Sequence, residues 1–264
     1  MSSVGRRLKS CCLWLVLAIV LVPSVVVMIL SFSSDPFIHF PPHTWGLGHY
    51  RSVFDTGGVW PGDLRRSFEV AGIVSPVALL IGIAYVLGMQ RSRLRGGTAF
   101  DLFALGPIIV PGVSYALAMY ALMARLHLVG TLTAVVIAHV LLALPFVVLI
   151  LGSSLSRVGR DYEFAAMSLG ATRRRAQIGI TLRLMAAGIL AAALFAFISS
   201  FDEVVFVSFL AGSGFTTVPL EIFNSLRFGV DPAITAISTL LTIFTVGLIG
   251  LVTLVRRVGA RGAA

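Results

Sequence analysis

Two carboxylates stand side by side in a segment that is otherwise apolar: Asp202 and Glu203 follow Leu-Phe-Ala-Phe-Ile-Ser-Ser-Phe at 194–201. An ionisable group at the centre of a membrane helix costs about 2.5–3.5 kcal/mol on insertion scales, so each asks for a reason. Carboxylates next to an aromatic such as Phe201 or Phe206 suit an organic cation, through charge pairing and cation–π contact. Ser199 and Ser200 lie within a turn of them, and Glu69 and Glu221 are weaker candidates at the ends of neighbouring elements. The alternative is structural: Asp202 pairs with Arg227 or caps a broken helix, and Glu69 and Glu221 are solvated helix-end acids. Other chemistry is poorly represented. A phosphate-binding loop needs a lysine after its glycines, and the only lysine is Lys9 near the N-terminus. His39, His43 and His49 share one loop without the ligand spacing typical of zinc sites, so no metal site is expected. His139 reads as a packed helix–helix donor. No nucleophile–base–acid set appears, so no catalytic residue is assigned.

The elements that must position these groups are six apolar stretches, at about 13–32, 69–90, 102–122, 131–151, 186–209 and 234–255. Each approaches the roughly 20 residues a helix needs to cross the hydrocarbon core. The chain is therefore expected to be an all-α polytopic membrane protein, a single transmembrane domain over 1–264. Orientation follows from the basic residues. With the N-terminus in the cytoplasm, that side receives Arg6, Arg7 and Lys9, then Arg91, Arg93 and Arg95. Arg157, Arg160, Arg173, Arg174, Arg175 and Arg183 follow, and finally Arg256, Arg257 and Arg261. Only Arg51, Arg65, Arg66, Arg125 and Arg227 remain outside, so both termini are expected to be cytoplasmic.

Composition agrees. The chain is 58% hydrophobic and 12% charged, with a mean hydropathy of +0.99, far from globular norms. Its net charge of +9 could suggest nucleic acid. The charges sit in short loops between spans, where they act as topology determinants and contacts for anionic lipid. The first stretch has a basic start but is too long for a signal-peptide core and lacks a small-x-small cleavage site, so it is read as a retained helix. Cys11 and Cys12, adjacent on one helix, are expected to be reduced core residues. Ala78–Gly82 and Ala84–Gly88 in the second stretch have the small-xxx-small spacing that lets another helix approach. Pro107, Pro111 and Pro145 are expected either to kink their helices for packing or to act as hinges.

The loop at 152–185 is basic, amphipathic and helix-prone, too long for a turn and too short for a domain. It is either a docking element for a soluble partner or a surface helix lying on anionic lipid. Its residues Glu163-Phe164-Ala165-Ala166-Met167-Ser168-Leu169-Gly170-Ala171, followed by Ile180-Thr181-Leu182, resemble the EAA motif of ABC importer permeases. That motif reads E-A-A-x-x-x-G followed by I-x-L-P. The match holds at Ala165, Ala166, Gly170, Ile180 and Leu182; Glu163 stands one residue early, Phe164 fills its slot, and Arg183 replaces the proline. His139-Val140-Leu141-Leu142-Ala143-Leu144-Pro145 before the loop resembles the spermidine/putrescine permease subfamily. So do Ser200-Phe201-Asp202-Glu203, Pro219-Leu220-x-Ile222-Phe223 and Phe228-Gly229-Val230-Asp231-Pro232 after it, and the match is to the second (C-type) subunit.

The resemblance implies a type I ABC importer permease fold in a bacterial inner membrane. It implies a transport subunit, not an enzyme, forming half of a pathway for a small solute, with polyamines first. ATP and Mg would be bound by a partner ATPase, with no cofactor in this chain. The implied partners are a second permease subunit, two ATPase subunits and an extracytoplasmic solute-binding protein. Glu163, Ala165, Ala166, Gly170, Arg173 and Arg174 would couple to the ATPase. Asp202, Glu203, Ser199, Phe201 and Glu221 would line the translocation pathway. Alternatives are another small solute, such as aminoethylphosphonate or an opine, an ion-coupled secondary carrier acting alone, and, more remotely, a membrane enzyme.

Overall fold

The computed structural model describes residues 3–91, 104–212, 214–229 and 231–261. Arg93, Arg95, residues 102–103 of the third apolar stretch, Val230 and the Cys11 side chain lie outside what is described. Among the described residues the structure is helical, and its one β feature is an isolated bridge between Ser33 and Trp45. Among the described residues, four helices contain segments long and apolar enough to cross a membrane: Cys12–Leu30, Trp60–Met89, Leu132–Ser156 and Ala233–Gly250. A fifth arises if Arg173–Leu184 and Ala186–Phe201, bent by 73° at their junction, count as one.

Contacts divide the chain into two compact units, Met1–Gly62 with Ile222–Leu248, and Asp63–Glu221 with Ile249–Ala264. The first contains α1 (Ser3–Leu30) and the short α2 (Gly48–Phe54). In the segment between them Phe32 packs on Tyr50 and the Ser31 hydroxyl bonds the Tyr50 hydroxyl. The α1 surface is largely exposed from Leu13 to Val22, as expected for a helix facing lipid or another subunit. Cys12 is exposed on it and not in a core, because adjacent residues on a helix point about 100° apart and this helix has little interior to offer.

The second unit holds the main core. Helix α3 (Trp60–Arg91) begins nine residues before the expected apolar stretch, with Trp60 itself in the first unit. There the Trp60 indole N–H donates to Asp231 Oδ2 at 3.1 Å, while Asp231 Oδ1 accepts from the Ala233 N–H. The third stretch does not form one long helix. Pro107 lies in a 3-10 turn and Pro111 is the N-cap of α4 (Gly112–Arg125, 14 residues). Prolines lack the N–H that an interior position must donate, which fixes where the helix starts. Next, α5 (Leu132–Ser156) is capped by Thr131, whose hydroxyl accepts from the Ala134 N–H at 3.2 Å. It carries Pro145 inside and is the central strut, with Ala138, Ala143, Val147 and Leu151 fully buried.

Small residues set the close approaches, as the spacing requires in part. A Cβ on Gly82 would lie 2.6 Å from Val147 Cγ1, so α3 and α5 meet there backbone to side chain. Gly88 meets nothing within 4 Å, so the second small pair is not a contact among the described residues. The tighter site is one the spacing did not single out. A Cβ on Gly188 would sit 2.4 Å from the Ser154 Cβ, where α5 meets α8 (Ala186–Phe201).

Candidate functional site

Two places in the second unit gather the residues with chemical potential. The first is the hairpin after α5. Helix α6 (Asp161–Ser168) opens with Asp161 and Glu163, acids where the helix dipole is positive. It closes at Gly170, whose φ of +91° is left-handed. The Ala171 N–H bonds the Ala166 carbonyl at 3.0 Å and the Gly170 N–H bonds the Met167 carbonyl at 3.0 Å. That pair of bonds is the Schellman ending, and a glycine is its usual occupant. Nothing lies within 4 Å of a Cβ built at Gly170, so its requirement is conformational, not steric. Thr172 then caps α7 (Arg173–Ala176), which runs into a π turn at Gln177–Thr181 and a last turn at Leu182–Leu184. The 73° bend follows at Met185, although Arg183 holds the position where the motif has proline.

Glu163 is turned inward. It is 6% exposed, and its Oε1 accepts from the Thr181 hydroxyl at 2.6 Å, tying α6 to the π turn. From there it braces the hairpin from inside. The faces left exposed are Ala165, Gly170, Arg173, Arg174 and Arg175, together with Tyr162, Phe164 and Leu169, the last 89% exposed. Ala166 is half-buried. Three large apolar side chains beside three arginines, on a loop joining two apolar helices, form a surface suited to a protein partner. Beneath it, a cleft of about 780 Å³ opens between the end of α5 and the start of α8, lined by Ser153, Ser154, Arg157, Tyr162, Leu184 and Gly188.

The second place is the break that ends α8. Regular helix stops at Phe201, and α9 (Val205–Leu210) starts after three irregular residues, so the fifth stretch is two helices. Glu203 explains the break. Its Oε1 accepts from the Val205 N–H at 2.7 Å and the Phe206 N–H at 3.1 Å, satisfying donors that the first turn leaves orphaned. Of the two expected readings, capping thus belongs to Glu203, whereas Asp202 at the C-cap is exposed. Ser199 is half-buried, and Ser200 is buried with its hydroxyl 2.9 Å from His139 Nδ1. His139 is the α5–α8 link its position suggested; its Nε2 has no hydrogen-bond partner among the described residues. Phe201 packs edge-on to Phe68 and stacks with Phe197, and Phe206 is buried against Tyr115.

Glu221 is half-buried in the first turn of α10 (Val218–Phe228), and the Ser67 hydroxyl accepts from the Val218 N–H at 2.9 Å. Asp63, which sequence reasoning passed over, lies in the first turn of α3 with 5% exposure. Its Oδ1 is 3.9 Å from Arg66, and its Oδ2 has no hydrogen-bond partner among the described residues. A lone acid before a span looks like a surface residue in sequence; no signal there foretold its burial. In the first unit the Arg227 guanidinium lies 5.2 Å over the Phe223 ring.

Against known proteins, no family model matches the chain. The putrescine transport system permease protein PotI of Escherichia coli (strain K12) is 30% identical over 232 residues, covering 81% of this chain and 78% of that one. The spermidine/putrescine transport system permease protein PotC of Haemophilus influenzae is 24% identical, covering 87% and 89%. Among solved structures, a bacterial ABC transporter involved in the import of the acidic polysaccharide alginate superposes with a TM-score of 0.74. It covers 97% of this chain and 98% of that one at 13% identity, a likeness of fold alone.

Proposed function

The chain belongs to the ABC importer permeases, resembling their polyamine-transporting subfamily, and from that premise we propose that it is the C-type permease subunit of an ATP-driven polyamine importer. It is a multi-pass protein of the bacterial inner membrane. In this reading six spans with both termini in the cytoplasm form one transmembrane domain over 1–264, the basic-residue asymmetry supporting the orientation. A second permease subunit completes the pathway, two ATPase subunits bind and hydrolyse ATP with Mg, and an extracytoplasmic binding protein delivers the solute. The chain needs no cofactor of its own.

The observation that carries the mechanism is the hairpin at 157–185. Its fold is fixed from within by Glu163 and Thr181, and its outer face offers Tyr162, Phe164 and Leu169 next to Arg173, Arg174 and Arg175. Apolar anchors ringed by arginines suit a groove with acidic rims on a soluble ATPase. The hairpin leads through the 73° bend directly into α8. A rigid displacement at the ATPase is thereby transmitted to α8 and, through Ser200 and His139, to α5. At the far end of α8, Asp202 offers an exposed carboxylate near aromatic Phe201, and Glu221 a further acid, a set suited to an organic cation.

The test is transport by the complete reconstituted complex in proteoliposomes. Uptake of labelled putrescine or spermidine should require ATP and the binding protein and should survive collapse of the proton gradient. Uptake that follows the proton gradient and ignores ATP would select a secondary carrier instead. If ATP-driven uptake is found only for aminoethylphosphonate, an opine or another solute, the permease reading stands and the polyamine reading falls.

A further inference from the structure

The segment joining α1 to α2 holds a group of side chains that the transport reading does not use. Asp35, His39 and His43 place their ligand atoms within 4.8 Å of one another. His39 Nε2 and His43 Nδ1 face each other directly, with the rings edge-on at 74° and centroids 3.9 Å apart. On its other side the buried His39 Nδ1 has no hydrogen bond and is turned to Asp35 Oδ2 at 3.4 Å. Sequence spacing gave no hint of this, because the convergence depends on how the chain between the two histidines folds back.

The group is held in place. Asp35 is 6% exposed and accepts from Ser33 Oγ at 2.9 Å, the His43 N–H at 2.8 Å and the Thr44 N–H at 3.1 Å. The bridge between Ser33 and Trp45 closes the segment around it, and the Gly46 N–H reaches the Phe32 carbonyl at 2.8 Å. His49 supports it from below, with Nε2 3.1 Å from the Asp35 carbonyl. Two ring nitrogens that face one another share either a proton or a cation. A carboxylate facing the second nitrogen of one ring favours the tautomer that turns Nε2 outward as a lone pair, a placement also found behind metal-bound histidine.

We propose that this segment is a binding site for a borderline divalent metal ion of the zinc or copper(II) class. His39 Nε2 and His43 Nδ1 are its ligands, and Asp35 is the positioning residue that orients His39. Imidazole ligands favour such ions over magnesium or calcium. With two protein ligands the coordination sphere keeps open positions for water or a donor from a partner, which makes the site exchangeable and not a closed structural one. The assignment does not depend on which solute the chain transports or in which direction.

The test uses the tag-free full-length chain, purified in detergent and stripped with a chelator, then dialysed against Zn(II) and analysed for metal. One zinc per chain is expected. Copper(II) loaded in its place should show an EPR spectrum with two coupled nitrogens. His43→Gln leaves the backbone N–H that bonds Asp35 and exposes no core, so it is the safe variant; it should weaken zinc binding at least tenfold and remove one nitrogen coupling. Asp35→Asn should weaken binding by about 10–100-fold while keeping both couplings. His127→Gln, remote in sequence from the segment, should change neither. Zinc binding by His43→Gln equal to that of the parent, no nitrogen coupling, or a histidine pair that titrates as a unit while binding no zinc would each overturn the proposal.

Discussion

Replacing Gly170 tests whether the hairpin acts as a folded docking unit. Its φ of +91° is in the left-handed region, and open space surrounds the position where a Cβ would go. The penalty for another residue is therefore conformational, about 1–2 kcal/mol for an ordinary L-residue and more for a β-branched one. Asparagine visits this region readily and should lose least. Helix α6 has only eight residues, too few to be stable alone, so its ending decides how much of the hairpin is correctly folded. If folding and docking are coupled, apparent affinity for the ATPase falls with the folded fraction. A penalty of 1.4 kcal/mol is tenfold in that equilibrium, so a marginal hairpin loses up to about tenfold in affinity on Gly170→Ala. The expected order is parent, Gly170→Asn, Gly170→Ala, Gly170→Val, read by titrating ATPase subunits onto permease in nanodiscs alongside uptake. Binding and transport by Gly170→Val equal to the parent would refute the reasoning. So would Gly170→Asn failing as badly as Gly170→Val, since backbone conformation would then not be the determinant.

Ser200→Ala removes the hydroxyl that His139 Nδ1 meets at 2.9 Å in a buried site; a loss of about 1–3 kcal/mol is expected, visible as a lower melting temperature in detergent. Gly188→Ala drives a methyl to 2.2 Å from the Ser154 hydroxyl and should destabilise by about 1–3 kcal/mol, with Ser154→Gly restoring most of it in the double variant, as a thermal-shift cycle would reveal. The Thr44 hydroxyl, with the His43 N–H, Ser33 and the Thr44 N–H, holds the Asp35 carboxyl well below the usual carboxylate range. A depressed folded pKa stabilises above the unfolded value near 3.9 and is lost as pH falls through the lower folded one. The Asp35 contribution to protease protection of the 33–46 segment should thus stay constant from neutral pH to about pH 5 and decline only in stronger acid. Asp35→Asn should abolish that decline. Glu203→Ala should destabilise by about 0.5–2 kcal/mol by uncapping α9, whereas Glu203→Gln keeps most of the cap; circular dichroism melts would separate the two.

Much of the architecture was legible because its cause is local. Stretches of apolar side chains at 69–90, 131–151 and 234–255 lie within long helices because a backbone in hydrocarbon must bond to itself. The helix near 161–168 and its glycine stop likewise rest on neighbouring residues. In the third stretch, 102–122, Pro107 and Pro111 interrupt the helix, and α4 takes up its last 11 residues and runs on to Arg125. The fifth stretch is broken at 202–204, and a glutamate that turns to its own backbone looks the same in sequence as one that faces a solute.

What the sequence by itself determined is the medium, the number of apolar stretches and the family, since hydropathy, charge asymmetry and a spaced motif are properties of the chain read in order. What only the tertiary structure decided is direction: Glu163 inward to Thr181, Ser200 to His139, Gly188 against Ser154, and His39 toward His43. Those partners are separated by 18, 61, 34 and 4 positions, and in each case the meeting depends on where the intervening backbone bends. A side chain's chemistry is written in its type, but its partner is set by packing, which no local pattern encodes.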